Sequence, residues 1–268
     1  MKRLAILLLA ATYTTLAFSQ QKEGKVLYER TMQMQIMIDD NNAGEQQMTR
    51  TRTDKFELLF GNNQTLWRAS DEELPEAEPG GEGPGGGMQI RMIGSGPDDI
   101  SYFDLGKGTS SEQREMFEKK FVITDSIKKM NWKLTGETKS ILNHNCQKAT
   151  AQRIGIRMMM NMNNGVMERK EVADTSNIIA WFAQDIPVSS GPSEFQGQLP
   201  GLILEMDVNN GRQKYKAIEI SPKAEIAAIK EPQKGKRVTR EEFRNETDKM
   251  MQEMEKNNQG GRRMIRIN

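Results

Sequence analysis

The sequence predicts a mainly β protein: a single curved antiparallel sheet or half-open barrel, with one C-terminal helix. Three observations predict it. Apolar residues recur at spacing two through most of the chain, the period of a strand with one buried face. Asn- and Gly-rich turns, such as Gly61-Asn62-Asn63 and Asn210-Gly211, separate these runs at hairpin spacing. Only the segment after residue 238 carries helical periodicity.

The first nineteen residues read as a secretory signal. Lys2 and Arg3 precede an apolar run from Leu4 to about Phe18, and Ala17 and Ser19 supply the small residues before a cut at Ser19/Gln20. Thr12, Thr14 and Thr15 interrupt that run, which is short for a bilayer span, so no transmembrane anchor is expected after cleavage. The expected location is the periplasm or the outside of the cell. A β domain over 20–238 and a helix with tail over 239–268 complete the organisation. The full chain has 38 basic and 37 acidic side chains, and this near-neutrality gives no electrostatic case for nucleic acid. Cys146 is the only cysteine, so stability comes from packing and not from an internal disulfide.

The first strand places Val26, Tyr28, Met32, Met34, Ile36 and Ile38 on one face, with Arg30 out of pattern. A turn at Asp39–Gly44 leads into a return strand from about Gln47 to Phe60, with Phe56, Leu58 and Phe60 on one side. Gly61-Asn62-Asn63 turns into a short strand at Thr65–Ala69. Residues 71–87 hold a run of carboxylates and then a Gly/Pro tract. This composition cannot bury enough surface to order itself and reads as a flexible loop inside the domain. Strands resume at Phe121–Ile123, Asn131–Leu134, Glu137–Leu142 and Gln147–Met162, where Ile154, Ile156, Met158, Met160 and Met162 alternate. Asn163-Asn164-Gly165 has the chemistry of a type I′ hairpin turn. Val166–Val172 and Asn177–Phe182 follow. A later strand aligns Leu202, Leu204, Met206 and Val208, and Asn210-Gly211 turns it into Arg212–Ile220. Thr239 and Glu242 form a capping box for a helix over Arg240–Lys256, with Phe243, Met250, Met251 and Met254 on one stripe.

Several further stretches share a pattern: Phe117–Phe121, Trp132–Lys139, Cys146–Thr150, Ala180–Phe182, Asp185–Pro192, Phe195 and Leu199–Glu205. In order and wording they resemble the GLPGLI family of exported proteins from Gram-negative bacteria. The resemblance covers about half of the chain after the signal. It implies a mostly-β envelope protein without an established activity, distantly similar to periplasmic lipoprotein carriers whose half-open sheet cups an apolar groove. Gln198 stands where the family has its first Gly, and the hairpin from about Arg157 to Ser176 is longer than the family's.

The motif loop has two readings. Pro192 and Pro200 fix φ while Gly191 and Gly201 admit close backbone approach, which suits a strand-entry corner. As a ligand- or partner-gripping loop it would use Trp181, Pro192, Phe195, Leu199, Pro200 and Gly201.

No catalytic constellation stands out. His144 is the sole histidine, so a hydrolase of the triad kind would have to use it, and no nucleophile-elbow pattern accompanies it. A His144/Cys146 metal pair offers too few ligands for a closed site. The nineteen methionines invite a second reading. Met158, Met160, Met162 and Met167 sit on one hairpin, and thioethers select Cu(I). As adaptable hydrophobes the same residues would fill a core or groove. The favoured expectation is a non-enzymatic binding or accessory protein without a cofactor, holding an apolar ligand or a segment of an envelope partner. The alternatives are a copper-binding protein and an envelope hydrolase.

Overall fold

The computed structural model describes residues 21–40, 44–71, 99–116, 118–163 and 166–261, and their side chains except at 34–40, 44–50, 156–163, 166–171 and 254–261. The proposed signal, the 71–87 loop beyond Asp71, the Asn164-Gly165 turn and residues 262–268 lie outside the described residues. So do the side chains of Met158, Met160, Met162 and Met167.

The described strands form one sheet built from two antiparallel meanders. The first comprises β1 (Gly24–Asp40), β2 (Gly44–Gly61), β3 (Gln64–Ala69), β4 (Ile100–Asp104), β5 (Thr109–Met116) and β6 (Lys119–Ser126). The second comprises β7 (Lys133–Ile141), β8 (His144–Asn163), β9 (Val166–Ala183), β10 (Leu202–Val208) and β11 (Gln213–Ser221). Strands β1 and β11 pair antiparallel, from Lys25↔Ser221 to Met32↔Gln213, and sew the meanders together. Strand β12 (Lys236–Thr239) adds in parallel to β6 and leads into helix α1 (Arg240–Gly261). The order is β12-β6-β5-β4-β3-β2-β1-β11-β10-β9-β8-β7. The sheet is therefore mixed, and it stays open instead of closing into a barrel. Among the described residues, no helix is long and apolar enough to cross a membrane.

The Asn-rich turns act as their chemistry requires. Asn62 and Asn63 have φ of 52° and 61°, and Asn209 and Asn210 have 59° and 54°, a region that Asn tolerates better than branched residues. Leu142 and Asn143 make the same kind of turn at 48° and 65°. Leucine gives no warning of that turn, and the expected strand over Glu137–Leu142 stops at Ile141.

The main core is one continuous cluster around the central strands. It joins Val26, Tyr28, Phe56, Leu58, Phe60 and Trp67 to Ile178, Ala180, Phe182, Leu202, Leu204, Met206, Val208 and Tyr215. The Tyr28 hydroxyl donates to the Ile203 carbonyl at 2.5 Å, tying β1 to the start of β10, and burial pushes its pKa upward. A smaller cluster of Leu59, Leu66, Tyr102 and Ile229 lies beneath the 3-10 turn at Ile226–Ala228. A third, of Phe121, Ile123 and Val238, receives Phe243 and Met250 of α1. The capping box forms: the Thr239 N–H donates to Glu242 Oε2 at 2.7 Å, and the Glu242 N–H to Thr239 Oγ1 at 3.2 Å.

Several expectations are corrected. Arg30 keeps the alternation of β1: it is buried, donates to Asp54 Oδ2 at 2.8 Å and lies 4.4 Å over the Phe56 ring. A paired, stacked guanidinium can take a core position that an isolated charge cannot. Strands β4, β5 and β12 carry no strong apolar alternation and escaped the sequence reading. The two strands expected over 166–182 are one continuous β9, and the two expected over 131–142 merge into β7, whose ladder to β8 breaks between Leu134 and Thr138 around Gly136 (φ 79°). Ile154, which opens the Ile/Met alternation, is 81% exposed, so that stripe does not begin inside the core. Helix α1 runs on to Gly261, past the expected stop.

Candidate binding site

The segment between β9 and β10 folds back over the main core. Ile186, Phe195 and Leu199 are buried in it, against the apolar face that the resemblance to lipoprotein carriers would leave as a groove. Burying three such side chains contributes about 5–9 kcal/mol in total. That is of the same order as a micromolar ligand's whole binding energy. The chain covers this face itself, and an apolar occupant would have to displace the plug.

Two glutamines hold the plug in place. Gln196 is fully buried, and its Oε1 accepts from Ser190 Oγ at 2.6 Å, the Gly191 N–H at 3.2 Å and Thr65 Oγ1 at 3.3 Å. Its Nε2 donates to the carbonyls of Gly191 and Ser193. Gln198 accepts from the Met130 N–H at 3.1 Å and Trp132 Nε1 at 3.3 Å, and donates to the Lys128 and Gln196 carbonyls at 3.0 and 3.1 Å. The residue that replaces the motif's first Gly thus clamps the connection between β6 and β7 to the plug. Gly201 lets β10 start flush against β9: a Cβ there would lie 2.2 Å from the Ala183 carbonyl oxygen. At Gly191 it would meet Ile203 Cδ1 at 2.7 Å and the Phe195 oxygen at 2.8 Å.

Beside the plug lies an open trough of about 540 Å³. Its walls come from β4–β6, the 126–130 connection, Arg153 and Ile154 of β8, Ser193–Phe195, Gln198 and Arg240. Strands β6 and β8 lie near opposite ends of the sheet order, so their meeting at one trough measures how far the sheet curls. Charged groups in the walls are cross-paired. Glu112 is buried and accepts from Arg114 Nη2 at 3.1 Å and Arg240 Nη2 at 2.5 Å. Asp125 accepts from Arg240 Nε at 3.1 Å, and Arg153 pairs with Glu194 at 2.9 Å. Burial alone would raise the Asp125 pKa; the Ser126 N–H, Arg240 and Lys128 outweigh it and hold the carboxyl below its usual range. Phe103, Phe195, Ile127 and Met130 supply apolar surface between the charges.

The six motif-loop candidates do not converge. Phe195 is buried and borders the trough. Pro192, Leu199 and Gly201 are buried within the plug, and Pro200 is exposed. Trp181 lies on the opposite side of β9 from Ala180 and Phe182, under Lys139 Nζ at 4.3 Å, where Lys139 also reaches Glu205 at 2.7 Å.

His144 Nδ1 is 2.7 Å from Asp185 Oδ2, an arrangement that orients an imidazole. The nearby thiol does not complete a nucleophile–base pair. Cys146 is fully buried, its Sγ donates to the His144 carbonyl at 3.6 Å, and desolvation raises its pKa to about 11. Among the described residues, no group of three or more His, Cys, Asp or Glu converges as a metal site. On the methionine hairpin the backbone register sets Met162 opposite Met167, but Met160 opposite Arg169 and Met158 opposite Glu171.

Sequence reasoning missed Glu112, Arg114, Asp125 and Arg240. The signal available was the polar run Ser110-Ser111-Glu112-Gln113, which is a buried polar strand.

Residues 132–205 match the model of a family described as a protein of unknown function, Porph_ging. This span holds most of the stretches that carry the GLPGLI resemblance. No curated protein matches the sequence. Among solved structures, PNGF-II in a P21 crystal form is similar at 14% identity and a TM-score of 0.49, covering 84% of this chain and 32% of that one. PNGF-II in a C2 form is similar at 17% identity and a TM-score of 0.45, covering 82% and 32%. The chain therefore spans about a third of the length of those proteins. What the comparisons establish is a match to a family of unknown function.

Proposed function

We propose that the chain is an exported, non-enzymatic binding protein of the GLPGLI type, and that its trough holds an extended segment of an envelope partner. The observation that carries this reading is the division of surfaces. The apolar face is filled by Ile186, Phe195 and Leu199, while the open concavity presents paired charges, serine hydroxyls and apolar patches. An extended polypeptide offers alternating donors, acceptors and side chains that match such a surface. A lipid tail would desolvate the trough's paired charges and offer them no hydrogen bond in return. One feature weighs against thiol catalysis: the sole cysteine's thiol is buried, and burial pushes its pKa up to about 11.

The test places a photo-crosslinking amino acid at Ile154, on the trough, and in a second strain at the exposed Leu134 on β7. Irradiated cells should yield a discrete adduct from position 154 that disappears with Arg240→Ala. A synthetic peptide of the cross-linked segment should then bind the purified protein. Equal labelling from both positions, or stoichiometric lipid extracted from the purified protein, would refute the reading.

A further inference from the structure

Strands β1 and β9 are much longer than the strands between them. The ladder from β1 to β11 ends where the Gln33 N–H donates to the Arg212 carbonyl at 2.9 Å, and the ladder from β9 to β10 ends where the Asn209 N–H donates to the Asn177 carbonyl at 2.7 Å. Beyond the turn at Asn209–Arg212, β1 continues to Asp40 paired with β2, and β9 extends back to Val166 paired with β8. Both two-stranded ribbons therefore project from the same end of the sheet. The slot between them is two strands wide, because β11 and β10 fill it below. Three strand spacings separate β1 from β9, about 14 Å.

The backbone parity of each edge is fixed by its last rung. Gln33 donates toward β11, so Gln35, Met37 and Asp39 turn their N–H and C=O groups into the slot, since the β1–β2 register runs unbroken to Asp40. On β9, Thr175, Ala173, Glu171, Arg169 and Met167 do the same. Among the described residues, no strand pairs with either edge there. The sheet's other edges are guarded. Strand β7 is broken by a bulge at Gly136 and carries Lys133, Glu137 and Lys139, while β12 is four residues long and runs into α1. By contrast, Thr31–Ile38 is eight consecutive uncharged residues with neither Pro nor Gly, the composition that pairs edge to edge most readily.

We infer that a second copy of this chain fills the slot. Its own β1–β2 ribbon has the required width of two strands. A twofold axis perpendicular to the sheet, beside β1, seats each copy's β1–β2 ribbon in the slot of the other. β1 then runs antiparallel to β1, and β2 runs antiparallel to the other copy's β9. The exchange is reciprocal, so both slots are filled and the assembly closes as a dimer instead of growing as a fibre. The uncharged Thr31–Ile38 run of β1 selects this arrangement over one centred on β9, whose charged Glu168–Glu171 run would face its own copy.

Sedimentation of the processed, exported protein tests the inference. The expected species is a dimer at micromolar concentration. Met37→Pro removes a slot-facing N–H without touching the β1–β2 ladder, and Ile36→Lys adds a charge to the uncharged run. Each should weaken dimerisation at least tenfold while circular dichroism stays unchanged. Should either variant misfold, single cysteines placed from Met34 to Asp39 in a Cys146→Ser background decide the matter: oxidation should cross-link copies most efficiently near position 37. A monomer at 100 µM, a dimer indifferent to both substitutions, or cross-linking without a maximum along β1 overturns the inference.

Discussion

Replacing Gly201 with alanine is the sharpest test of how β10 enters the sheet. The added Cβ would lie 2.2 Å from the Ala183 oxygen, 2.9 Å from its carbonyl carbon and 3.1 Å from Phe182 Cδ2. Two of the three atoms are backbone of the neighbouring strand, so no rotamer change relieves the clash. Restoring contact distance needs a shift of about 1 Å between β9 and β10, in a region where density leaves little room. Overpacking of this kind costs about 3 kcal/mol, and distorting the bond from the Leu202 N–H to the Ile186 carbonyl (3.1 Å) adds about 1 kcal/mol. A total near 4 kcal/mol lowers the melting temperature by roughly 8–16 °C for a chain of this size. Urea unfolding followed by tryptophan fluorescence reads the change. Gly155→Ala is the control, because nothing lies within 4 Å of its added Cβ; it should stay within about 0.5 kcal/mol of the parent. A Gly201→Ala protein as stable as Gly155→Ala would refute the close-approach argument.

Two other outcomes follow from the buried polar groups. Gln196→Leu leaves the Gly191 N–H and Ser190 hydroxyl without their acceptor, so a loss of about 2–4 kcal/mol is expected, with faster proteolysis between Ser190 and Gly197; a stability change under 0.5 kcal/mol would show that the plug does not depend on it. For Cys146, the folded thiol's pKa is raised to about 11 from 9.0, so the fold favours the protonated form. That contribution is fully present below pH 9 and is lost as pH rises from 9 to 11, whereas Cys146→Ser should flatten this part of the stability–pH profile. Iodoacetamide should modify Cys146 only after unfolding, and rapid labelling of the native protein at pH 8 would contradict its burial.

The legible parts of the sequence were those with one wet face and one dry face. Strand β11, the turns at Gly61-Asn62-Asn63 and Asn210-Gly211 and the capping box announce themselves through period-two burial, left-handed turn residues or reciprocal capping. Strand β10 instead breaks its expected alternation, since Leu202, Ile203 and Leu204 are all buried and its pairing with β9 shifts between Ile203 and Glu205. The trough was illegible for the opposite reason. In β5, Ser110, Ser111, Glu112 and Gln113 are all buried, so a polar run that reads as loop is a strand whose groups are satisfied by Arg114, Arg240 and Glu231. Periodicity cannot show a partner 128 residues away in sequence, which is the separation between Glu112 and Arg240. Arg30 was misread for the same reason, since the carboxylate of Asp54 and the ring of Phe56 that allow its burial lie on the next strand. Gln198 looked like a blemish in a motif, and only the positions of Met130 and Trp132 reveal it as a clasp.

The seam between β1 and β11 joins the beginning of the described chain to a strand some two hundred residues later. Each meander can zip up from its neighbours, but the central rung must wait until nearly the whole polypeptide has emerged. Closing so large a circle is slow, and until then the bare flank of the opening strand stays available to any other polypeptide. A chain released before β11 would retain most of its hairpins and still lack the stitch that makes them one body. Such early-terminated products are therefore expected to accumulate as aggregates, not as smaller folded fragments.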